Sequence, residues 1–279
     1  MNKIHKYIPL DKSWIIRMGI LDVLNGYNDI GKFLDTQEDL GEDLMALKRV
    51  SEKWDTQESL DVGESATLYR FVRYALWKKG EERGIIKKGT LRNRKINDNA
   101  TIIKWPLQKL LELDNGTSQW ASAAVLMGNK ERIENAPFKL QVTYDAKEHW
   151  KWQRKRKEVW HPKYDETIEK QAMAYIGLLR TGKLIFHPLQ PEDYCFARAF
   201  NLVTAEEGEK RWPSLKGHET NRIDEMEKAI KLAEEGVVES KDHRIVQALV
   251  MKHRNKLRVL HKDAVNKSWP KFWGLIENE

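Results

Sequence analysis

Apolar positions spaced three and four residues apart predict a helix over 14–24 that ends at Asn25-Gly26, a second over 39–50, and a third over 67–77 that Gly80 stops. The same spacing returns over 167–179, 194–204, 222–233 and 243–251. Short apolar runs at 184–188 and 257–260 predict strands. Helices mixed with strands define an α/β or α+β chain.

Length and composition narrow the class. With 279 residues, 41% of them hydrophobic, the chain can bury a substantial core and is expected to form two lobes. No apolar run approaches the roughly 20 residues of a membrane span. The charged start Met1-Asn2-Lys3-Ile4-His5-Lys6 is not followed by a signal-peptide core, so a cytoplasmic protein without membrane contact is expected. The single cysteine, Cys195, excludes an internal disulfide and a Cys-rich metal site, and the histidines show no H-E-x-x-H pair. Neither a metal nor a cofactor is expected.

The formal net charge of +7 changes the picture in one respect. It is compatible with nucleic acid, and the stretch 150–163, where Lys151, Arg154, Lys155, Arg156 and Lys157 interleave with Trp150, Trp152 and Trp160, is the best argument for that partner. The plainer reading is a solvated basic helix or loop whose tryptophans cover the core. Small phosphorylated and carboxylated substrates need a basic cleft too, because each phosphate carries roughly −1.5 to −2 near neutral pH.

Candidate chemistry lies in a series of short clusters. They are Asp11-Lys12-Ser13 with Arg17, Glu64-Ser65-Ala66-Thr67 with Arg70, Arg92 and Arg94, Thr117-Ser118-Gln119, His218-Glu219-Thr220-Asn221-Arg222, Asp242-His243-Arg244, and Lys267. Cations beside hydroxyl and amide donors at predicted helix starts suit ligands with several anionic groups.

The order and wording of these clusters resemble the 5-enolpyruvylshikimate-3-phosphate synthase (3-phosphoshikimate 1-carboxyvinyltransferase) family. Pro9-Leu10-Asp11-Lys12-Ser13 with Arg17 is similar to its P-x-D-K-S-x-x-x-R signature, and Glu64 to Arg70 to its N/E-S-G-T-x-x-R loop. His218 to Arg222 resembles K-E-T/S-D-R, Asp242-His243-Arg244 resembles D-H-R, and Asn266-Lys267-Ser268-Trp269-Pro270 resembles the closing x-K-T/S-F/W-P. The resemblance spans nearly the whole chain, which is shorter than ordinary members. It implies a two-lobed fold of repeated βαβαββ units, reduced in number, with residues 1–10 and 190–279 in one discontinuous lobe and 11–189 in the other. It also implies a monomer, an active site in the cleft between lobes, and transfer of the enolpyruvyl group of phosphoenolpyruvate to the 5-hydroxyl of shikimate 3-phosphate.

Carried over by motif, Lys12, Asp193 and Glu219 are the catalytic residues. Glu219 would exchange protons at the methylene carbon, Asp193 would take the proton of the acceptor hydroxyl, and Lys12 would stabilise the adduct. Phosphoenolpyruvate would meet Lys12, Ala66, Thr67, Arg94, Gln119, Arg222, Arg244 and Lys267. The acceptor would meet Ser13, Arg17, Thr117, Ser118, Gln119, Asp193 and His218. The segment 191–197 also fits the family's second hinge, D-x-S-x-A, but the spacing from Asp193 to His218 leaves room for one helix and one strand, which favours the catalytic aspartate. Four positions depart from the pattern: His218 replaces lysine, Asn221 replaces aspartate, Lys95 replaces proline and Ala66 replaces glycine. Two other readings stand beside this one: an enolpyruvyl transferase with a different acceptor, and a non-catalytic relative that binds nucleic acid.

Overall fold

The computed structural model describes residues 4–157, 161–216, 221–254 and 256–278. The chain divides into two compact units, Leu10–Lys163 and the discontinuous Met1–Pro9 with Tyr164–Glu279. Residues 164–189 thus fall in the discontinuous unit. The physical reason is burial, since Ile168, Ala172, Tyr175 and Ile176 join the same apolar cluster as Phe196, Leu249 and Trp269.

The unit Leu10–Lys163 contains α1 (Lys12–Leu24), α2 (Asp29–Asp35), α3 (Glu42–Lys53), β1 (Leu60–Gly63), α4 (Ala66–Lys79), β2 (Ile85–Lys87), α5 (Leu107–Leu111), α6 (Leu113–Gly116), α7 (Gln119–Leu126) and α8 (Phe138–Arg156). Helix starts are set by side chains that satisfy otherwise orphaned backbone donors. Asp11 accepts from Trp14 N and Ser65 from Leu68 N, while Gly80, at φ 69°, closes α4 in the left-handed region that glycine adopts without strain. β1 and β2 pair in parallel, Leu60 opposite Ile85 and Asp61 opposite Ile86, with α4 as the connection that parallel strands require. The core includes Ile15, Leu47, Val62, Phe71 and Trp120, and Trp77 stacks on Trp120 with ring centroids 5.6 Å apart.

The second unit contains α9 (Glu166–Thr181), α10 (Tyr194–Ala199), α11 (Ala205–Arg211), α12 (Arg222–Glu234), β3 (Val237–Val238), α13 (His243–His253), β4 (Arg258–Val259) and α14 (Phe272–Asn278). Residues 4–8 are tied to this unit by Ile4 and Ile8, both buried, and by Trp269 Nε1 donating to Tyr7 O at 2.6 Å. β3 and β4 pair in parallel, Val237 opposite Arg258 and Val238 opposite Val259. Both units therefore repeat one order, helix, strand, helix, strand: α3-β1-α4-β2 in the first and α12-β3-α13-β4 in the second.

The architecture is mixed but dominated by helix. The described residues do not form repeated βαβαββ units, because each unit has a single two-stranded parallel sheet and its remaining regular elements are helical. The run at 184–188 is not a strand either; its backbone finds no ladder partner among the described residues. Its apolar residues serve another end: Phe186 packs against Phe196, centroids 4.7 Å apart, while Ile185 faces solvent. Residues 150–156 of the basic stretch form the C-terminal part of α8. Trp150 Nε1 donates to Asp22 Oδ1 at 2.8 Å, and Arg154 pairs with Asp22 at 2.5 Å and Asp29 at 2.7 Å. Trp152 packs against His149 and under Arg156. Trp150 packs on the core and fits the core-covering reading, whereas Trp152 is exposed and Trp160 lies outside the described residues.

Candidate functional site

Within Leu10–Lys163, three helices of eight or more residues begin beside one arginine. Arg17 lies one turn into α1 and is 0% exposed. Its Nε donates to Thr143 Oγ1 at 2.6 Å and its Nη1 to Ser13 O at 2.8 Å. Its Nη2 donates to Gln119 Oε1 at 3.3 Å and Lys139 O at 3.0 Å. Ser13, Gln119 and Lys139 stand in the first turns of α1, α7 and α8, so the guanidinium draws three positive helix ends together.

All four acceptors are neutral, and no ion pair to Arg17 occurs among the described residues. Burial lowers its pKa to about 10, with the charge of Asp11 opposing that shift. It stays protonated at neutral pH. A buried cation without a contacting carboxylate, at converging helix starts, is an environment that favours an anion nearby. Facing the same place, Lys139 Nζ donates to Ser13 Oγ at 3.1 Å. That bond occupies an acceptor lone pair of the hydroxyl and leaves its hydrogen to be donated.

Lys12, the first residue of α1, is held by Asp43 in the first turn of α3, Nζ to Oδ2 2.8 Å. Thr117 Oγ1 accepts from Gln119 N at 3.2 Å, and Ser118, buried at φ 57°, turns the chain into α7. Of the residues expected to meet the acceptor, Ser13, Arg17 and Gln119 are joined by hydrogen bonds and Thr117 and Ser118 lead into the same start of α7, while Asp193 stands in the other unit and His218 lies outside the described residues. Lys139, Thr143 and Asp43 were not legible as members. A lysine, a threonine and an aspartate carry no pattern of their own, and only the tertiary contact selects them.

Of the expected phosphoenolpyruvate residues of this unit, Lys12 and Gln119 stand at the starts of α1 and α7, while Ala66, Thr67 and Arg94 lie at or next to the β1–α4 turn. Ala66 opens α4, and its carbonyl accepts from Arg70 Nη1 at 3.1 Å. Arg70 Nε also donates to Asp114 at 2.7 Å, which in turn takes Trp120 Nε1 at 2.9 Å and Asn97 N at 2.9 Å. Arg94 Nη2 donates to Thr90 Oγ1 at 3.2 Å, and that hydroxyl donates to Glu64 Oε2 at 3.0 Å. Gly89 makes the approach possible: at φ 45° a Cβ there would stand 1.5 Å from Glu64 Oε1. Thr67 follows Ala66 in the same first turn.

In the other unit Asp193 is buried, with Oδ2 accepting from Leu189 N at 2.9 Å and Gln190 N at 3.2 Å. Burial raises its pKa, and the backbone donors only partly oppose this. Arg222, the first residue of α12, pairs with Asp242, the N-cap of α13, at 2.9 Å. Asp242 Oδ1 also accepts from Arg244 N at 2.9 Å. Burial alone would raise the Asp242 pKa, but Arg222, then His243 and Arg244, outweigh it and hold the carboxyl well below its usual range. Cys195 lies in the same field; burial first, then Asp242, pushes its thiol up to about 12, so it is no nucleophile at neutral pH. Lys267 ends the 3-10 turn Lys262–Lys267, which packs on α13. His218 and Glu219 lie outside the described residues.

Among the described residues no group of three His, Cys, Asp or Glu side chains is placed to hold a metal ion, and no helix is long and apolar enough to cross a membrane. Compared with protein-family models, curated proteins and solved structures, the chain has no match.

The Arg17 cluster makes a direct prediction. Arg17→Lys keeps the charge but cannot reach acceptors on α1, α7 and α8 at once, because an ammonium lacks the planar fork. Loss of about 2 kcal/mol of stability is expected from the acceptors left unmet. Urea unfolding of both proteins measures it, and unchanged stability would mean that Arg17 does not organise the three helix starts.

Proposed function

We propose that the chain transfers the carboxyvinyl group of phosphoenolpyruvate to the 5-hydroxyl of shikimate 3-phosphate, releasing phosphate. The observation that supports this most is the buried charge of Arg17, held at three helix starts by neutral acceptors alone, with Ser13 and Gln119 of the expected acceptor set among them.

In this reading Asp193 takes the proton of the acceptor hydroxyl as its oxygen attacks C2 of phosphoenolpyruvate, and Glu219 delivers a proton to C3. The raised Asp193 pKa suits a base. Lys12 stabilises the resulting tetrahedral adduct. Glu219 then removes a proton from the new methyl group while the C–O bond to phosphate breaks, which regenerates the carbon–carbon double bond. Arg222, Arg244 and Lys267 serve phosphoenolpyruvate, together with Ala66, Thr67 and Arg94. With His218 in place of the usual lysine, a different hydroxylated acceptor is the second reading.

Calorimetric titration with shikimate 3-phosphate tests the acceptor. Binding is expected, and Lys139→Met, which frees the Ser13 hydroxyl from its fixed orientation, should weaken it about tenfold, the loss of a charge-assisted contact. Absence of binding to the unaltered protein would remove shikimate 3-phosphate as the acceptor.

A further inference from the structure

While the starts of α1, α7 and α8 surround Arg17, the C-terminal ends of α1, α4 and α7 border, with α8, an open cavity of about 360 Å³. Small-molecule pockets fall in the range of roughly 300–1,000 Å³. Leu21, Leu24, Leu126, Met127 and Trp150 give it an apolar floor, and Lys78, Lys79, Lys147 and Lys151 stand around it.

Lysines at helix ends have an ordinary task, which is to offset the negative partial charge of terminal carbonyls. Here amide donors meet most of those carbonyls, and Lys147 shares the one of Val125. Asn25 Nδ2 donates to Leu21 O at 2.7 Å, Gly80 and Glu81 N donate to Trp77 and Leu76 O, and Gly128 and Asn129 N donate to Val125 and Ala124 O. Two of the lysines are also paired, Lys79 with Glu81 at 3.6 Å and Lys151 with Glu148 at 3.0 Å.

The other two are different. Among the described residues Lys147 Nζ donates to the neutral carbonyls of Val125 and Asn129 and to no carboxylate. Burial lowers its pKa, and the nearby cations Lys151 and Lys130 outweigh Glu148 in the same direction. Lys78 has no ion pair among the described residues. Two positive charges without carboxylate partners thus border an apolar hollow.

We propose that this cavity binds an aryl carboxylate, with its ring on the floor of Met127 and Trp150 and its carboxylate between Lys78 and Lys147. A polarisable thioether and an indole suit a flat ring, and the two ammonium groups select for negative charge. The site is separate from the proposed reaction and requires no turnover.

Calorimetric titration of the full chain with 2-naphthoate, and with its uncharged counterpart 2-naphthol, tests it. Naphthoate is expected to bind at least about tenfold more tightly than naphthol. Lys78→Met, at an exposed position, should weaken naphthoate about fivefold and leave naphthol unchanged. Met127→Trp, which fills the hollow, should abolish binding of both while circular dichroism stays that of the unaltered protein. No binding of naphthoate, equal affinity for the two probes, or naphthoate binding unaffected by Lys78→Met would overturn the proposal.

Discussion

Lys12→Met is expected to lower turnover by at least about 100-fold while leaving the fold intact, and Glu219→Gln to do the same. A factor of that size corresponds to about 2.7 kcal/mol of transition-state stabilisation. The structure adds a reason for the sensitivity at Lys12. Asp43 fixes the ammonium at the start of α1, so its position does not depend on a flexible four-carbon chain finding the ligand unaided. Methionine has similar length and apolar stem but no charge, and the pair with Asp43 is only half-buried on the lysine side. Steady-state kinetics with phosphoenolpyruvate and acceptor measure the loss. Near-normal rates in either variant would take that residue out of the reaction.

Asp242→Asn should cost about 3–5 kcal/mol of stability, the penalty of leaving a buried guanidinium without its counter-ion. Arg222 and Asp242 form a pair at 2.9 Å whose side chains are 15% and 11% exposed, so solvent screens the interaction little. The pH dependence follows from the sign of the shift. Asp242 has its folded pKa below the unfolded value, which is about 3.9. Its contribution is therefore fully present above about pH 4 and is lost as pH falls below that value toward the folded pKa. Denaturant unfolding of the unaltered protein should weaken with acid across this window. The Asn variant should show a shallower decline, and an equal decline in both would assign the acid sensitivity to other carboxylates.

The parts of the fold that could be read from sequence are those with local signals. α1, α4, α9, α12 and α13 each combine apolar spacing with a capping residue, Asp11, Ser65, Asp165, Asn221 and Asp242, whose side chain accepts a first-turn backbone donor. α8 was hidden although it is the longest described helix, because Thr143 and Gln153 occupy buried positions where an apolar residue would have revealed the stripe. Thr143 is tolerated there through its bond to Arg17, a contact across 126 residues that no local pattern contains. Residues 184–188 fail for the opposite reason. A short apolar run is consistent with a strand, but it cannot say whether a neighbouring strand exists to pair with.

The candidate site divides in the same way. The acceptor residues Ser13, Arg17 and Gln119 were readable because short motifs carry them, and the structure joins them through Arg17. Lys139 was not, since it enters through the first turn of α8, the helix whose pattern was concealed.

Phosphate release from phosphoenolpyruvate tests the proposed reaction most directly, measured with shikimate 3-phosphate against a panel of other hydroxylated phosphate esters. Carboxyvinyl transfer to shikimate 3-phosphate predicts phosphate released in step with loss of both substrates, dependent on Lys12 and faster with that acceptor than with any other ester. No release with any acceptor would contradict the account.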